Sequence, residues 1–159
     1  MTTTCEVAVL VGSERDWEVM RAAVETLAQY GISHEVRVLS AHRTPDETAE
    51  FVRRCDAAGT KVFIAAAGMA AHLAGAVAAH TTRPVLGVPL ATSDLNGLDA
   101  LLSTVQMPAG VPVATLGVGQ AGAVSHDARL AASASSTPTA RVTVRRAKRL
   151  TRTIRRLER

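Results

Sequence analysis

Three short segments concentrate the side chains able to do chemistry: Gly12-Ser13-Glu14-Arg15-Asp16-Trp17, Ser40-Ala41-His42-Arg43-Thr44-Pro45 and Gly68-Met69-Ala70-Ala71-His72-Leu73. In the second, a hydroxyl, an imidazole and a guanidinium lie within four consecutive residues. Arg43 can hold a phosphate through two donors at once, and Ser40 can add a third. His42 can give and take a proton near neutral pH. The competing reading is a histidine satisfied by local backbone groups beside a surface arginine. In the first segment, Gly12 allows close backbone approach, and free N–H groups at a helix start favour an anion. Ser13 contributes a hydroxyl and Arg15 a positive charge. Asp16 can accept from ribose hydroxyls, or can simply cap a helix. In the third, the small residues around Gly68 would let a planar ring or a small acid lie against the backbone. His72, set in an apolar run, reads from its neighbours as a satisfied core histidine before a catalyst. His34, His80 and His126 show no partner pattern and receive no role.

The elements that must position these segments are legible in the hydrophobic pattern. Short apolar runs at Cys5–Val11, Val62–Ala67, Val85–Val88 and Val111–Leu116 predict buried strands, and alternation over His34–Leu39 predicts another. A helix is expected from Asp16 to about Tyr30, where Met20, Ala23, Val24 and Leu27 recur on one face before Gly31. Thr44-Pro45-Asp46-Glu47 is a helix start, with Thr44 as cap, proline at the first position and Glu47 closing a capping box. That helix should end near Ala58, before Gly59. Further helices are expected near Ala70–Ala79, Leu98–Gln106 and Gly122–Ala132. Alternating strands and helices with near-continuous apolar strands predict a three-layer α/β/α sandwich on a mostly parallel, flavodoxin-like sheet of about five strands. In such folds ligands bind beyond the carboxyl ends of the strands, where residues 12–16, 40–44, 67–73 and 89–97 fall.

Bulk properties set the class. The 159 residues are 47 % hydrophobic but only 3 % aromatic, so the core must be built from Ala, Val, Leu and Ile. Residues 1–132 read as the α/β domain, 133–140 as a Ser/Ala/Thr/Pro linker, and 141–159 as a basic amphipathic tail. The formal charge of +4 conceals an acidic body, because nine of the 18 Lys and Arg residues lie in 141–159, beside one of the 14 acids. In the tail, Val144, Ala147, Leu150, Ile154 and Leu157 form an apolar stripe, which suits a packed helix with a solvated basic face. A nucleic-acid or membrane-surface contact is the competing use. No run approaches the roughly 20 apolar residues that span a bilayer, and no secretory signal is visible, so a cytoplasmic protein is expected. Cys5 and Cys55 belong to no CxxC or ligand spacing and read as two reduced, buried thiols. No His/Cys/Asp/Glu spacing matches a metal site, so no metal is expected.

Taken together, Gly12-Ser13-x-x-Asp16-Trp17, Ser40-Ala41-His42-Arg43-Thr44-Pro45, Ala70-Ala71-His72-Leu73 and Gly97-Leu98-Asp99 through Leu116 resemble the bacterial class I N5-carboxyaminoimidazole ribonucleotide mutase family of purine biosynthesis. Within the last segment, Val105-Gln106-Met107-Pro108-Ala109-Gly110-Val111-Pro112-Val113 is nearly unbroken family sequence. The resemblance covers about residues 5–123. It implies an isomerase that moves a carboxyl group from N5 to C4 of an aminoimidazole ribonucleotide without metal or organic cofactor. It also implies Ser13, Asp16 and Arg43 as nucleotide-binding residues, Ser40 near the phosphate, and His42 as the proton carrier. Gly68 and His72 match the pocket that receives the carboxylate. A homo-oligomer, an octamer in the family, would follow. The sequence departs from the family at Met69, which replaces a glycine, at Ala74, which replaces a proline, at Arg15, which replaces a serine, and throughout the C-terminus. Two alternatives are motivated by these departures: a paralogue acting on another imidazole-type ribonucleotide or carboxylating it directly, and a catalytically silent nucleotide- or nucleic-acid-binding protein using the tail.

Overall fold

The computed structural model describes residues 5–134. Strands β1 (Val7–Val11), β2 (His34–Val38), β3 (Val62–Gly68), β4 (Val85–Leu90) and β5 (Ala114–Thr115) form one parallel sheet in the order β2-β1-β3-β4-β5. Helices α1 (Trp17–Gln29), α2 (Pro45–Ala58), α3 (Leu73–His80), α4 (Leu98–Val105) and α5 (Ala121–Ala134) cover both faces. This is the expected α/β sandwich with flavodoxin-like strand order.

Alternation along each strand sends successive side chains to opposite faces, and both faces are apolar because both are covered. Val7, Val9, Val11 and Ile64 pack with Met20 and Leu27 of α1 and with Val124 and Ala128 of α5. Ala8, Leu10 and Phe63 point the other way, toward Val52 of α2 and Leu73 and Val77 of α3. Full burial of a Leu10 or Phe63 side chain contributes about 1.5–3 kcal/mol each. α4 lies on this second face because Gly87 leaves it room: a Cβ there would come within 2.5 Å of Thr104 and 3.3 Å of Ala74.

The strand order fixes where a ligand can enter. From β1 the chain steps outward to β2, then returns to β3 on the other side of β1. The helices that follow β1 and β3 therefore cover opposite faces, and the neighbouring carboxyl ends of those two strands open into a crevice.

Several expected boundaries move, each for a local reason. The strand expected over residues 111–116 shrinks to Ala114–Thr115. Pro112 has no amide hydrogen, and the Val111 amide turns back to the Pro108 carbonyl, so the ladder begins only beyond them. α3 starts at Leu73 rather than Ala70 because Met69 takes a positive φ of 56° and breaks the backbone direction. The first turn before α1 is a short 3-10 segment, Glu14–Asp16, capped by the Ser13 hydroxyl. Thr44 precedes α2 as expected, and Pro45 opens it, but the Thr44 hydroxyl makes no cap bond to the helix. It accepts from the Ser40 amide at 3.0 Å and donates to the Ser40 carbonyl at 3.2 Å, stapling the preceding loop instead. α5 runs on to Ala134, into the first part of the expected linker. The rest of that linker and the basic tail at 141–159 lie outside the described residues. No helix among the described residues is long and apolar enough to cross a membrane.

Candidate active site

Each of the three segments is held in shape by its own hydrogen bonds before any ligand is considered. After β1, Gly12 continues the ladder to the Ala66 carbonyl at 2.9 Å. A Cβ on Gly12 would meet the Ala67 Cβ at 3.3 Å, so the glycine allows the β1 and β3 loops to lie side by side. Ser13 is extended, accepts from the Arg15 amide at 3.3 Å, and receives the Asp16 amide on its carbonyl at 3.0 Å. This turn carries Asp16 inward, where it is only 5 % exposed. Asp16 stands at the cap position of α1 but makes no side-chain cap bond, so simple capping does not account for it. Burial pushes its carboxyl above the usual aspartate range, against the opposing pull of a backbone hydrogen bond at Ser13 and the Arg43 charge.

The loop after β2 is stapled by Thr44 and Thr48. The Thr44 amide bonds the Ser40 carbonyl at 2.9 Å, and the Thr48 hydroxyl donates to the Thr44 carbonyl at 2.8 Å. The Ser40 hydroxyl accepts from the Arg43 amide at 3.2 Å. The Arg43 side chain crosses to the first loop and donates from Nη2 to the Gly12 carbonyl at 2.9 Å. Arg43 thus cross-links the loop after β2 to the loop after β1.

The third loop turns on Met69 and returns at His72, whose amide bonds the Ala70 carbonyl at 2.8 Å. His72 is exposed, and so corrects its reading as a core histidine. Its Nδ1 lies 2.6 Å from His42 Nε2, with the rings edge to face and 4.7 Å between centroids. One ring nitrogen donates its N–H and the other accepts, with the roles set by the tautomer.

These loops enclose a cavity of about 660 Å³, within the size range of small-ligand sites. Ser13, Asp16, Ser40, Arg43, His42, Gly68 and His72 all line it, so the fold brings these seven residues together around one cavity. Arg15 lines it too, adding a second guanidinium near the Ser13 turn. Thr92, beyond β4, is a lining residue that the sequence reading missed, although it lies in a loop expected to face the site. A Cβ on Gly68 would overlap the Thr92 hydroxyl. Gly68 is therefore required by close approach of a neighbouring loop, a reason that no local motif could reveal. A second cavity of about 540 Å³ adjoins through the same His42–His72 pair and continues toward Leu102, Gln106 and Met107.

The sequence model of the AIR carboxylase family matches residues 6–153 of the chain. The chain is 56 % identical over 116 residues to the N5-carboxyaminoimidazole ribonucleotide mutase of Saccharolobus solfataricus, covering 73 % of each. It is 54 % identical over 120 residues to the protein of that name from Brucella melitensis, covering 76 % of this chain and 74 % of the other. For the Bacillus subtilis protein of that name the identity is 52 % over 119 residues, 75 % of this chain and 74 % of the other. Among solved structures, Treponema denticola PurE shares the fold with a TM-score of 0.66, at 22 % identity and over 96 % of this chain and 94 % of that one.

Proposed function

The chain belongs to the AIR carboxylase family, and from that premise we propose that it is an N5-carboxyaminoimidazole ribonucleotide mutase of purine biosynthesis. The observation that carries the reading is the division of one cavity into two chemistries. Ser13, Asp16, Ser40 and Arg43 form a polar grip on one side, and the paired imidazoles of His42 and His72 stand on the other.

The grip serves the ribose phosphate. Arg43 and Ser40 supply donors to the phosphate, joined by the Ser13 hydroxyl, and Arg15 adds charge. Asp16, acceptor-only when ionised, takes the ribose hydroxyls, which offset its desolvation.

The base then lies against the small-residue loop at Gly68, with its reacting atoms facing His42. A protonated His42 delivers its proton to N5 as the N–C bond to the carboxylate breaks, releasing CO2. The electron-rich C4 attacks that CO2 while it is still confined, forming the new C–C bond. The now neutral imidazole removes the proton from C4, restores the aromatic ring and is recharged for the next turnover. Proton and carboxyl both balance, so no cofactor is called for. Confinement replaces an encounter in solution by one within the site, and His72 holds the His42 ring in one orientation between the two proton transfers.

A second reading is favoured by Met69, a long side chain at 61 % exposure on the cavity wall where the resemblance places a glycine. On that reading the protein is a paralogue with the same nucleotide grip and a different base or carboxyl source. The deciding experiment is a mutase assay on purified protein, with its reverse reaction and a Met69→Gly variant. Strong turnover by the unaltered chain eliminates the paralogue. Turnover that appears only in Met69→Gly eliminates the mutase.

A cytoplasmic homo-oligomer completes the proposal. Leu95, Leu98, Leu102 and Val105 leave an apolar row on and beside α4 at 47–60 % exposure, a surface suited to subunit contact.

A further inference from the structure

Away from the cavity, the fold brings together two thiols that the proposed reaction does not use. Cys5 precedes β1 and Cys55 lies in the last turn of α2; both are buried, at 3 % and 2 % exposure. Their sulfur atoms and a Glu35 carboxylate oxygen all lie within 4.8 Å of one another. The Thr60 hydroxyl flanks Cys5 Sγ at 3.6 Å. Three potential ligands suggest a metal at first sight, but Glu35 is already committed. Its Oε1 accepts from Arg37 Nε at 3.0 Å and from Arg54 Nη2 at 3.1 Å. With that charge neutralised by two guanidiniums, the cluster offers a cation two sulfurs and no free anionic third ligand.

We propose that Cys5 and Cys55 are a redox pair that closes to an intramolecular disulfide under peroxide. With the sulfurs within 4.8 Å of each other, each is the other's nearest thiol reaction partner. Sharing of the Cys55 proton lowers the Cys5 thiol and raises Cys55, which makes Cys5 the nucleophile. The Cys5 thiolate attacks one oxygen of hydrogen peroxide; the O–O bond breaks and hydroxide leaves, to be protonated to water. The Cys55 sulfur then attacks the Cys5 sulfenic acid, the S–O bond breaks, and the departing hydroxide takes the Cys55 proton as a second water. Two thiols are oxidised and one peroxide is reduced.

The bond would tie the start of β1 to the end of α2. The segment it closes contains both phosphate-side loops, at 12–16 and 40–44, while the sulfurs themselves sit at the opposite end of the sheet from the cavity. Oxidation should therefore brace the fold without blocking the site. Because the two positions are distant in sequence, the unfolded chain is the state most constrained.

The test uses the full chain, reduced and then exposed to hydrogen peroxide, followed by denaturation and alkylation. The expected product is monomeric, lighter by two hydrogens, unalkylated at both cysteines and restored by dithiothreitol. Its thermal midpoint should exceed that of the reduced protein by several degrees, with the Km for substrate unchanged. In Cys55→Ser the sulfenic acid on Cys5 should persist long enough to be trapped by dimedone. Two alkylatable thiols after peroxide, oxygen addition at Cys5 in the unaltered chain, or a disulfide between two chains would each overturn the assignment.

Discussion

His42 Nε2 and His72 Nδ1 meet at 2.6 Å across 30 residues of sequence, joining the loop after β2 to the loop after β3. The contact ties the two rings together, so the two residues should act as a unit. His42→Asn should lower kcat by at least about 10²-fold, the scale of a positioned proton carrier. His72→Phe should lower it less. The double variant should be no slower than His42→Asn alone, because the positioning residue has nothing left to position. Additive losses in steady-state kinetics would show that the two histidines work independently.

Binding and turnover should separate between neighbouring residues. His42→Asn keeps the phosphate grip and should retain product affinity by calorimetry. Arg43→Ala removes charge-assisted donors and the tie to the Gly12 carbonyl, and should weaken affinity by about 10–100-fold. Arg43→Lys should recover little, since a point charge cannot span phosphate and carbonyl together. Equal loss of affinity in the His42 and Arg43 variants would dismantle this division of labour.

Asp16 should cost stability while supporting binding. Its folded-state carboxyl titrates above the unfolded value, chiefly through burial, so the ionised form disfavours the fold. That penalty is fully present above the raised folded value and disappears as pH falls toward the unfolded one. Asp16→Asn should thus melt higher than the unaltered protein at neutral pH, with the gap closing on acidification, and should bind the ribonucleotide more weakly. A gap that widens on acidification would reverse the sign of this account.

Gly68 and Thr92 should be coupled. A methyl group at position 68 would overlap the Thr92 hydroxyl, so Gly68→Ala should destabilise the protein by about 1–3 kcal/mol, as overpacking does. Thr92→Ala removes the overlapping hydroxyl and should recover part of the loss in a double-mutant cycle. Strict additivity in chemical denaturation would place the cost of Gly68→Ala elsewhere.

Met69 holds a φ of 56°, a conformation that suits glycine better. Being exposed, its side chain buries little area to offset that strain. Met69→Gly should leave stability unchanged or raise it by up to about 1 kcal/mol, whereas the β-branched Met69→Val should lower it. Urea denaturation midpoints of the two variants test the order, and a more stable Met69→Val would refute it.

The sequence by itself determined the layers of the fold and named seven of the residues that line the cavity. Periodicity distinguishes buried strands from one-sided helices because alternation and the 3.6-residue repeat are local properties of the backbone. The residues of the three loops could be named because their elements begin and end at glycines and prolines. Only the tertiary structure decided which residues from different loops touch. Arg43 on the Gly12 carbonyl, Thr92 against Gly68, and the His42–His72 and Cys5–Cys55 pairs all depend on the strand order β2-β1-β3-β4-β5, which sets loops distant in sequence beside one another. The same holds for the last strand, where apolar composition over residues 111–116 suggested a longer element than the hydrogen bonds permit. A proline without an amide hydrogen, and a partner strand reached only at Ala114, shortened it.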